Sequence, residues 1–514
     1  MRLRALVPTR AEALPVMASA ALFAVAFPPF PLVVPIFLAL VPLAVATARA
    51  ADSAESVRSA ARMGAWFCVL AYGCNLYWIA SALSIYTNLA VLGYLGTLIG
   101  SAPIVAAAVS VLFFARRRLR LPVAVLLPPV WVASEMVFNY LGDLSFPWLP
   151  LGLAVSRVPV LAQSADLSGV HGVSLWIAAV NGLIADAVLL RRDRRAMLLR
   201  GAGAVTLVGL AAAYGAWRVR TVELRPLAPV AIIQPNVPQE EKWQEENRER
   251  IVGMLATLTR ERLRAGDAEL VLWPEAALPG FFTMHRAWAD TLAALAQAGS
   301  TPILFGVLDV TFRSRDDYDY FNAAMLADST GRVDVGDAYH KSYLVPVVER
   351  VPFVNPDWFE GLRYFGGYSP GAEAELITLP FGRLGVLICY ESIFPQRSRR
   401  YRREGADLIV NITNDAWFGR SLAPHQHLAH LALRAIENRV GIVRSANTGI
   451  SGYIDPLGRM HGTTGLFVTT TETYQAETTS VRTPYVRLGD WVGWGSVAAV
   501  LLVLIIGHRR RGAP

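Results

Sequence analysis

Apolar residues fall into two patterns along this chain, and the change between them is abrupt. Up to about residue 217 the chain is a series of long apolar stretches, roughly 12–28, 31–48, 61–83, 89–115, 122–141, 170–190 and 197–217, and an eighth follows near 487–507. About 20 apolar residues in a helix cross the hydrocarbon core of a bilayer, so each stretch predicts a membrane-crossing helix. Pro28, Pro29 and Pro31 separate the first two and predict a tight turn there. No small-residue cleavage site with a polar start follows the first stretch, so it is expected to be a retained helix rather than a leader.

Between about 218 and 486 the pattern shortens. "APVAIIQPNVP", "AELVLWPE", "TPILFGVLDV", "RLGVLICYE", "ADLIVNITND" and "GIVRSANTG" are short, apolar and rich in β-branched residues, which predicts buried strands. Helical spacing fills 246–265, 285–298 and 424–440, and "ADSTGRVDV" and "YIDPLGRM" carry hairpin turn signals. The expectation is a bundle of about eight transmembrane helices with an α/β domain set into it. Residues 1–217 would form the bundle, 218–486 the α/β domain, and 487–514 the last helix with a basic tail. About 260 residues suffice for a full hydrophobic core.

Composition agrees with a membrane protein. Of 514 residues, 54% are hydrophobic and 17% charged, against about 25% charged in a soluble protein. The mean hydropathy is +0.38. The net charge of +8 is explained by where arginine sits rather than by a nucleic-acid partner. Arg2, Arg4 and Arg10, then Arg49, Arg58 and Arg62, then Arg116 to Arg120, then Arg191 to Arg195, then the tail "HRRRGAP" fall in alternate loops, whereas the other loops carry Arg157 alone. Cationic loops stay on the cytoplasmic side, so both termini are expected there and the α/β domain on the outer face. Only two of the 48 basic residues are lysines, Lys242 and Lys341. Where arginine is the default cation, a lysine marks a place that wants a compact ammonium. The three cysteines, Cys68, Cys74 and Cys389, make no disulfide framework and no zinc spacing.

Glu275 ends one expected strand, Cys389 ends another, and Lys341 lies in "AYHKSYLVP". Strand ends are where α/β folds carry function. Singly each signal is weak, since a cysteine in an apolar run is ordinarily core and a lone lysine ordinarily a solvated charge. Together, "WPEAALP", "YHKSYLVPVVE" and "GVLICYE" resemble the Glu-Lys-Cys triad of the nitrilase superfamily in order and spacing. "NITNDAWFG" with "APHQH", "AFPPF", "FPWLPLG", "QPNVPQEEKW" and "SANTGISG" narrow the likeness to its membrane-embedded branch, the apolipoprotein N-acyltransferase family, over nearly the whole chain.

The resemblance implies an α-β-β-α sandwich in which Cys389 is the nucleophile, Glu275 the general base and Lys341 the charge that stabilises thiolate and oxyanion, with a backbone N–H near Tyr390. An unperturbed glutamic acid is a poor base for a thiol, by about 5.7 kcal/mol. Burial of Glu275 or an ammonium beside Cys389 would narrow that gap. An arginine at 341 could not sit as a point charge. The resemblance further implies Glu349 as a support for the lysine or base. Glu391 and Tyr390 would hold the site, and Trp243, Trp417, Asn414, Phe353 and Phe365 would meet substrate. Phe353 and Phe365 belong to an aromatic loop, Pro352 to Gly371, that reads as an arm reaching lipid. His425, His427 and His430 offer a second route, with one of them as base to the cysteine; zinc is not expected. Glu135, Asn139, Asn181 and Asp186, inside apolar stretches, are expected to serve helix–helix contacts without catalytic roles.

The function implied is transfer of a fatty acyl chain from a phospholipid, through a Cys389 thioester, to the N-terminal amine of a diacylglyceryl-cysteine lipoprotein. It needs no cofactor, and a monomer in the bacterial inner membrane is expected. A membrane-tethered amidase shares the triad but leaves eight spans and the aromatic loop unexplained. A transporter or lipid-binding scaffold with a dead catalytic domain is opposed by the intact triad.

Overall fold

The computed structural model describes residues 7–53, 55–84, 90–314, 318–333, 335–351, 367–372 and 375–509. The chain divides into two compact units, Met1–Thr221 with Thr483–Pro514, and Val222–Arg482.

In the first unit every apolar stretch carries a helix. Five are long and apolar enough to cross a membrane: Val34–Asp52, Ala90–Leu119, Ala165–Leu189, Arg194–Thr221 and Trp491–Arg509. Val57–Leu76 and Trp78–Ser84, bent by 54°, make up to six if the pair is one span. Arg10–Ala26 and Val123–Asn139 have 17 residues each and rise only about 26 Å, short of a core about 30 Å thick. Length and hydropathy among the described residues thus give five or six spans where the apolar stretches predict eight.

The polar residues inside the apolar stretches mostly join helices. The Asn181 carboxamide accepts from Leu40 N at 2.9 Å and donates to Ile36 O. Asp186 accepts from the N–H groups of Val123 and Ala124, the open first turn of helix Val123–Asn139. Glu135 accepts from the Trp131 indole and from Leu151 N. The buried Asn139 carboxamide has no hydrogen-bond partner among the described residues.

The second unit is a four-layer sandwich of two six-stranded sheets with helices outside. The strands are β1 (Arg225–Gln234), β2 (Leu270–Leu272), β3 (Ile303–Phe312), β4 (Tyr318–Ala327), β5 (Tyr339–His340), β6 (Ile377–Leu379), β7 (Gly382–Ile388), β8 (Leu408–Thr413), β9 (Gly441–Ala446), β10 (Gly452–Ile454), β11 (Met460–His461) and β12 (Thr470–Thr478). One sheet runs β12-β1-β2-β3-β4-β5 and the other β11-β10-β9-β8-β7-β6. At their centres β1–β2–β3 and β7–β8–β9 are parallel.

Side chains alternate across a strand, and here both faces are buried. Val230 and Ile232 of β1 join Leu272, Val386, Ile388 and Val410 in the layer between the sheets. Ala231 and Ile233, from the same strand, pack instead with Ile251, Leu255, Trp288 and Leu292 of helices Arg248–Leu263 and Arg286–Gly299. Helices Pro395–Glu404 and Ala423–Asn438 cover the second sheet. The Ser445 hydroxyl donates across the inner layer to the carbonyls of Ile233 and Leu272, so the sheets are tied by polar contacts as well.

Candidate active site

The parallel strands deliver the site from their carboxyl ends. β2 leads through Trp273 and Pro274 to Glu275. β7 runs directly into Cys389, and β8 into Asn414. Lys341 follows β5, whose neighbour β4 carries Asn322. Glu275, Lys341, Cys389, Glu349 and Asn322 are all buried.

Lys341 bridges two carboxylates, with Nζ 3.3 Å from Glu275 Oε1 and 2.8 Å from Glu349 Oε1. The Asn322 amide donates to the same two oxygens, at 2.7 and 3.0 Å. The other oxygen of Glu275 accepts from Asn414 N at 2.7 Å, and that of Glu349 from Val345 N at 2.8 Å. Every carboxylate oxygen is therefore met by a donor, which fixes the geometry of two buried charges.

Cys389 has a φ of +50°, unfavourable by about 1–2 kcal/mol for a residue with a Cβ. Glu391 helps hold it so. Its carboxylate accepts from Ile388 N at 2.9 Å, from Ser342 N at 2.9 Å, from Tyr343 N at 3.3 Å, and from the Tyr339 hydroxyl at 2.5 Å. Glu391 thus joins the turn bearing Cys389 to the segment bearing Lys341. Tyr390 is buried, edge-on to Phe394.

The resting charges differ from the sequence-based expectation. Burial pushes the Glu275 carboxyl up, but the Lys341 charge, the Asn322 hydrogen bond and the Asn414 N–H outweigh it and hold it below its ordinary value. Burial pulls the Lys341 ammonium down, but Glu349 and Glu275 carry it well above its usual range. Burial and the Glu275 charge push the Cys389 thiol up, against the pull of Lys341. The acid–base gap is therefore widened, not narrowed. Burial of the thiol is the main cause on the cysteine side, and the ionised Glu275 adds to it against the Lys341 charge.

Asp415, His427 and Arg444 form a second polar group beside Cys389. The Sγ of Cys389, a carboxylate oxygen of Asp415 and a ring nitrogen of His427 lie within 4.8 Å of one another. His427 Nδ1 is 3.0 Å from Asp415 Oδ1, and Nε2 is 2.8 Å from the Ser392 hydroxyl and 3.1 Å from the Cys389 carbonyl oxygen. Arg444 pairs with Asp415 Oδ2 at 2.6 Å, and Thr413 donates to Oδ1. Burial pushes the Asp415 carboxyl up, but the Arg444 charge and the contacts with His427 and Thr413 carry it far below the ordinary range. A guanidinium on the carboxylate and hydrogen bonds on both imidazole nitrogens leave this donor set a poor cradle for a cation.

The remaining expected residues are dispersed. The Asn414 side chain donates to Gln239 and accepts from Asn447, in a buried network. Trp243 is 39% exposed, and Trp417 is half-buried in the turn Asp415–Phe418. Phe353 and Phe365 lie outside the described residues. The end of their loop is described. There Tyr368 N donates to Glu349 O, and Gly371 N donates to Lys341 O. Asn322 and Tyr339 were missed because nothing in "YDYFNAAM" or "DAYHK" marks them. Lys242 had a signal, its rarity, and it too lies here, donating to the main-chain oxygen of Glu275 at 3.2 Å.

Comparison with known proteins identifies both units. The carbon-nitrogen hydrolase model matches residues 229–483, and that of the apolipoprotein N-acyltransferase N-terminal domain matches residues 19–183. A protein of Geobacter metallireducens named apolipoprotein N-acyltransferase is 33% identical over 98% of this chain and 96% of its own. The chain belongs to the apolipoprotein N-acyltransferase family. A second relative of that name, from Chlorobaculum tepidum, is 30% identical over 87% of each chain. A solved amidase from Nesterenkonia sp. aligns over 52% of this chain and 95% of its own, at 17% identity and a TM-score of 0.36. Membership covers the helical unit and the α/β unit together, and it makes the chain an acyltransferase rather than a hydrolase that happens to be tethered.

Proposed function

We propose that the enzyme moves a fatty acyl chain from a phospholipid to the N-terminal amine of a diacylglyceryl-cysteine lipoprotein in two half-reactions on Cys389. Sγ attacks the ester carbonyl while its proton passes to the Glu275 carboxylate. The S–C bond forms, the ester C–O bond breaks, and Glu275 returns the proton to the leaving glycerol oxygen, releasing a lysophospholipid. The neutral amine then attacks the thioester. The N–C bond forms, the S–C bond breaks, and the amine's proton goes by way of Glu275 to the thiolate. Lys341 offsets the oxyanion charge together with a backbone N–H near Tyr390, and Glu349 keeps Lys341 charged and aimed.

The observation that carries this reading is the bridge from Lys341 to both Glu275 and Glu349, beside a cysteine in a strained turn, in a chain related end to end to named N-acyltransferases. Because the thiol is protonated at rest, thiol deprotonation accompanies attack rather than preceding it. The alternation of arginine-rich loops supports a multi-pass protein of the inner membrane with its α/β unit on the outer face. Trp243, Trp417 and the aromatic loop are offered as acyl-chain contacts.

A second reading, His427 as the base, is favoured by the closeness of Cys389, Asp415 and His427. Vesicles with labelled phospholipid and a diacylated lipopeptide test the function. An N-acylated peptide with equimolar lysophospholipid is expected; free fatty acid without peptide product would mark a hydrolase. Glu275→Gln losing transfer while His427→Gln retains part of it supports Glu275, and the reverse supports His427.

A further inference from the structure

Both lysines of the chain lie at Glu275, one at its carboxylate and one at its main chain. Lys242 ends the short helix Gln239–Lys242 and is buried. The hydrogen bond to the Glu275 carbonyl oxygen is the one its ammonium makes among the described residues, and the Trp243 ring centroid lies 5.8 Å from Nζ. An ammonium has thus been taken out of water for one neutral acceptor and one aromatic ring, an unfavourable exchange by itself.

The local fold does not require that charge. Asn236 N donates to Asn447 O, Val237 N to Asn447 Oδ1, and the Asn447 amide back to Val237 O. Gln239 accepts from the Asn414 amide. These neutral bonds already tie the segment down. An unbranched apolar side chain would fill the same space without the desolvation penalty. It would not supply a positive charge behind the base.

We propose that Lys242 is a positioning residue for Glu275, fixing the main chain that carries the carboxylate and holding that carboxylate ionised for the Cys389 proton. This rests on the reading of Glu275 as base. The coupling runs both ways. Burial pulls the Lys242 ammonium down to about 8 against the opposing charge of Glu275, and the Lys242 charge in turn helps lower Glu275. The other titratable groups about Glu275 are Lys341, Glu349, Cys389 and Tyr368, and Lys242 is the cation among them that is not matched to a carboxylate by hydrogen bonding.

The test is the pH dependence of acyl-enzyme formation by the full-length enzyme in phosphatidylethanolamine vesicles, read as intact mass at early times. Lys242→Met and Lys242→Gln are expected to move the acid limb up by about one pH unit, with rates about tenfold lower on the limb itself. Lys242→Arg, which keeps the charge, is expected to leave the limb where it is even if the plateau falls. Gln retains a donor for the carbonyl, so its shift reports the charge alone, and it serves if the Met variant does not fold. A limb unmoved in Met and Gln, or moved as far in Arg, would overturn the proposal. A wild-type rate and limb in Glu275→Gln would overturn the base assignment and this inference with it, and that result is distinct because Lys242 is untouched there.

Discussion

On the proposed mechanism the proton sits on Cys389 and the charge on Glu275 at rest, and the chemistry begins by exchanging them. Glu275→Gln removes the acceptor while keeping shape, and is expected to slow acyl-enzyme formation by about a hundred- to ten-thousandfold. Rapid-quench measurement of the adduct checks this, and a loss below about threefold would contradict it. Because Glu275 is held below its ordinary value, its carboxylate is present throughout the neutral range. The rate of adduct formation is therefore expected to be flat from about pH 5.5 to about pH 7, with an acid limb below the ordinary carboxylate value. The same lowering carries a stability consequence for Glu275 and Asp415. A carboxyl whose folded value is depressed contributes stability above its unfolded value and loses it as pH falls through the folded one. The melting temperature of the α/β unit is thus expected to hold from about pH 7 to about pH 5 and to fall below about pH 4.

The turns after β2 and β7 set where those groups stand. Gly306 of β3 lies under the β2 turn, and a Cβ there would meet Pro274 O and come within 2.6 Å of Glu275 Cα. Gly306→Ala is expected to destabilise by about 1–3 kcal/mol and to slow adduct formation by displacing the base. Wild-type kinetics with a normal melt would contradict this. Glu391→Gln replaces one acceptor oxygen of the clasp between the Cys389 turn and the Lys341 segment, and is expected to cost about 2–3 kcal/mol in denaturant unfolding. The sequence made some of these elements legible and hid others. "GVLIC" and "ELVLWPE" read as strands with chemistry at their ends because short β-branched runs have few other uses. β4 and β12 went unread, since "YDYFNAAMLA" carries no β-branched residue and "TTETYQAET" is too polar to announce a paired strand. The clasp was invisible for another reason. Glu391 lies about 50 positions from Tyr339 and Ser342, and such a pairing is set by tertiary packing rather than by any local pattern.

Across the whole chain, eight apolar stretches were legible, yet two of their helices are shorter than a bilayer core. Residue hydropathy marks which segments avoid water, not how far the helix runs. The arginine alternation predicts the side of each loop. In a Cys74→Ser background, a membrane-impermeant maleimide is expected to label Thr330→Cys in intact spheroplasts, and Arg192→Cys only after permeabilisation; the opposite pattern would reverse the topology. In the proposed mechanism Cys389 carries the acyl chain between two lipid substrates. The decisive measurement is the intact mass of the purified enzyme after incubation with phospholipid and no acceptor. One added acyl mass is expected, released by hydroxylamine, absent in Cys389→Ala, and discharged on adding a diacylated lipopeptide as the peptide gains that mass. An adduct that persists in Cys389→Ala, or transfer to the peptide amine by that variant, would contradict it.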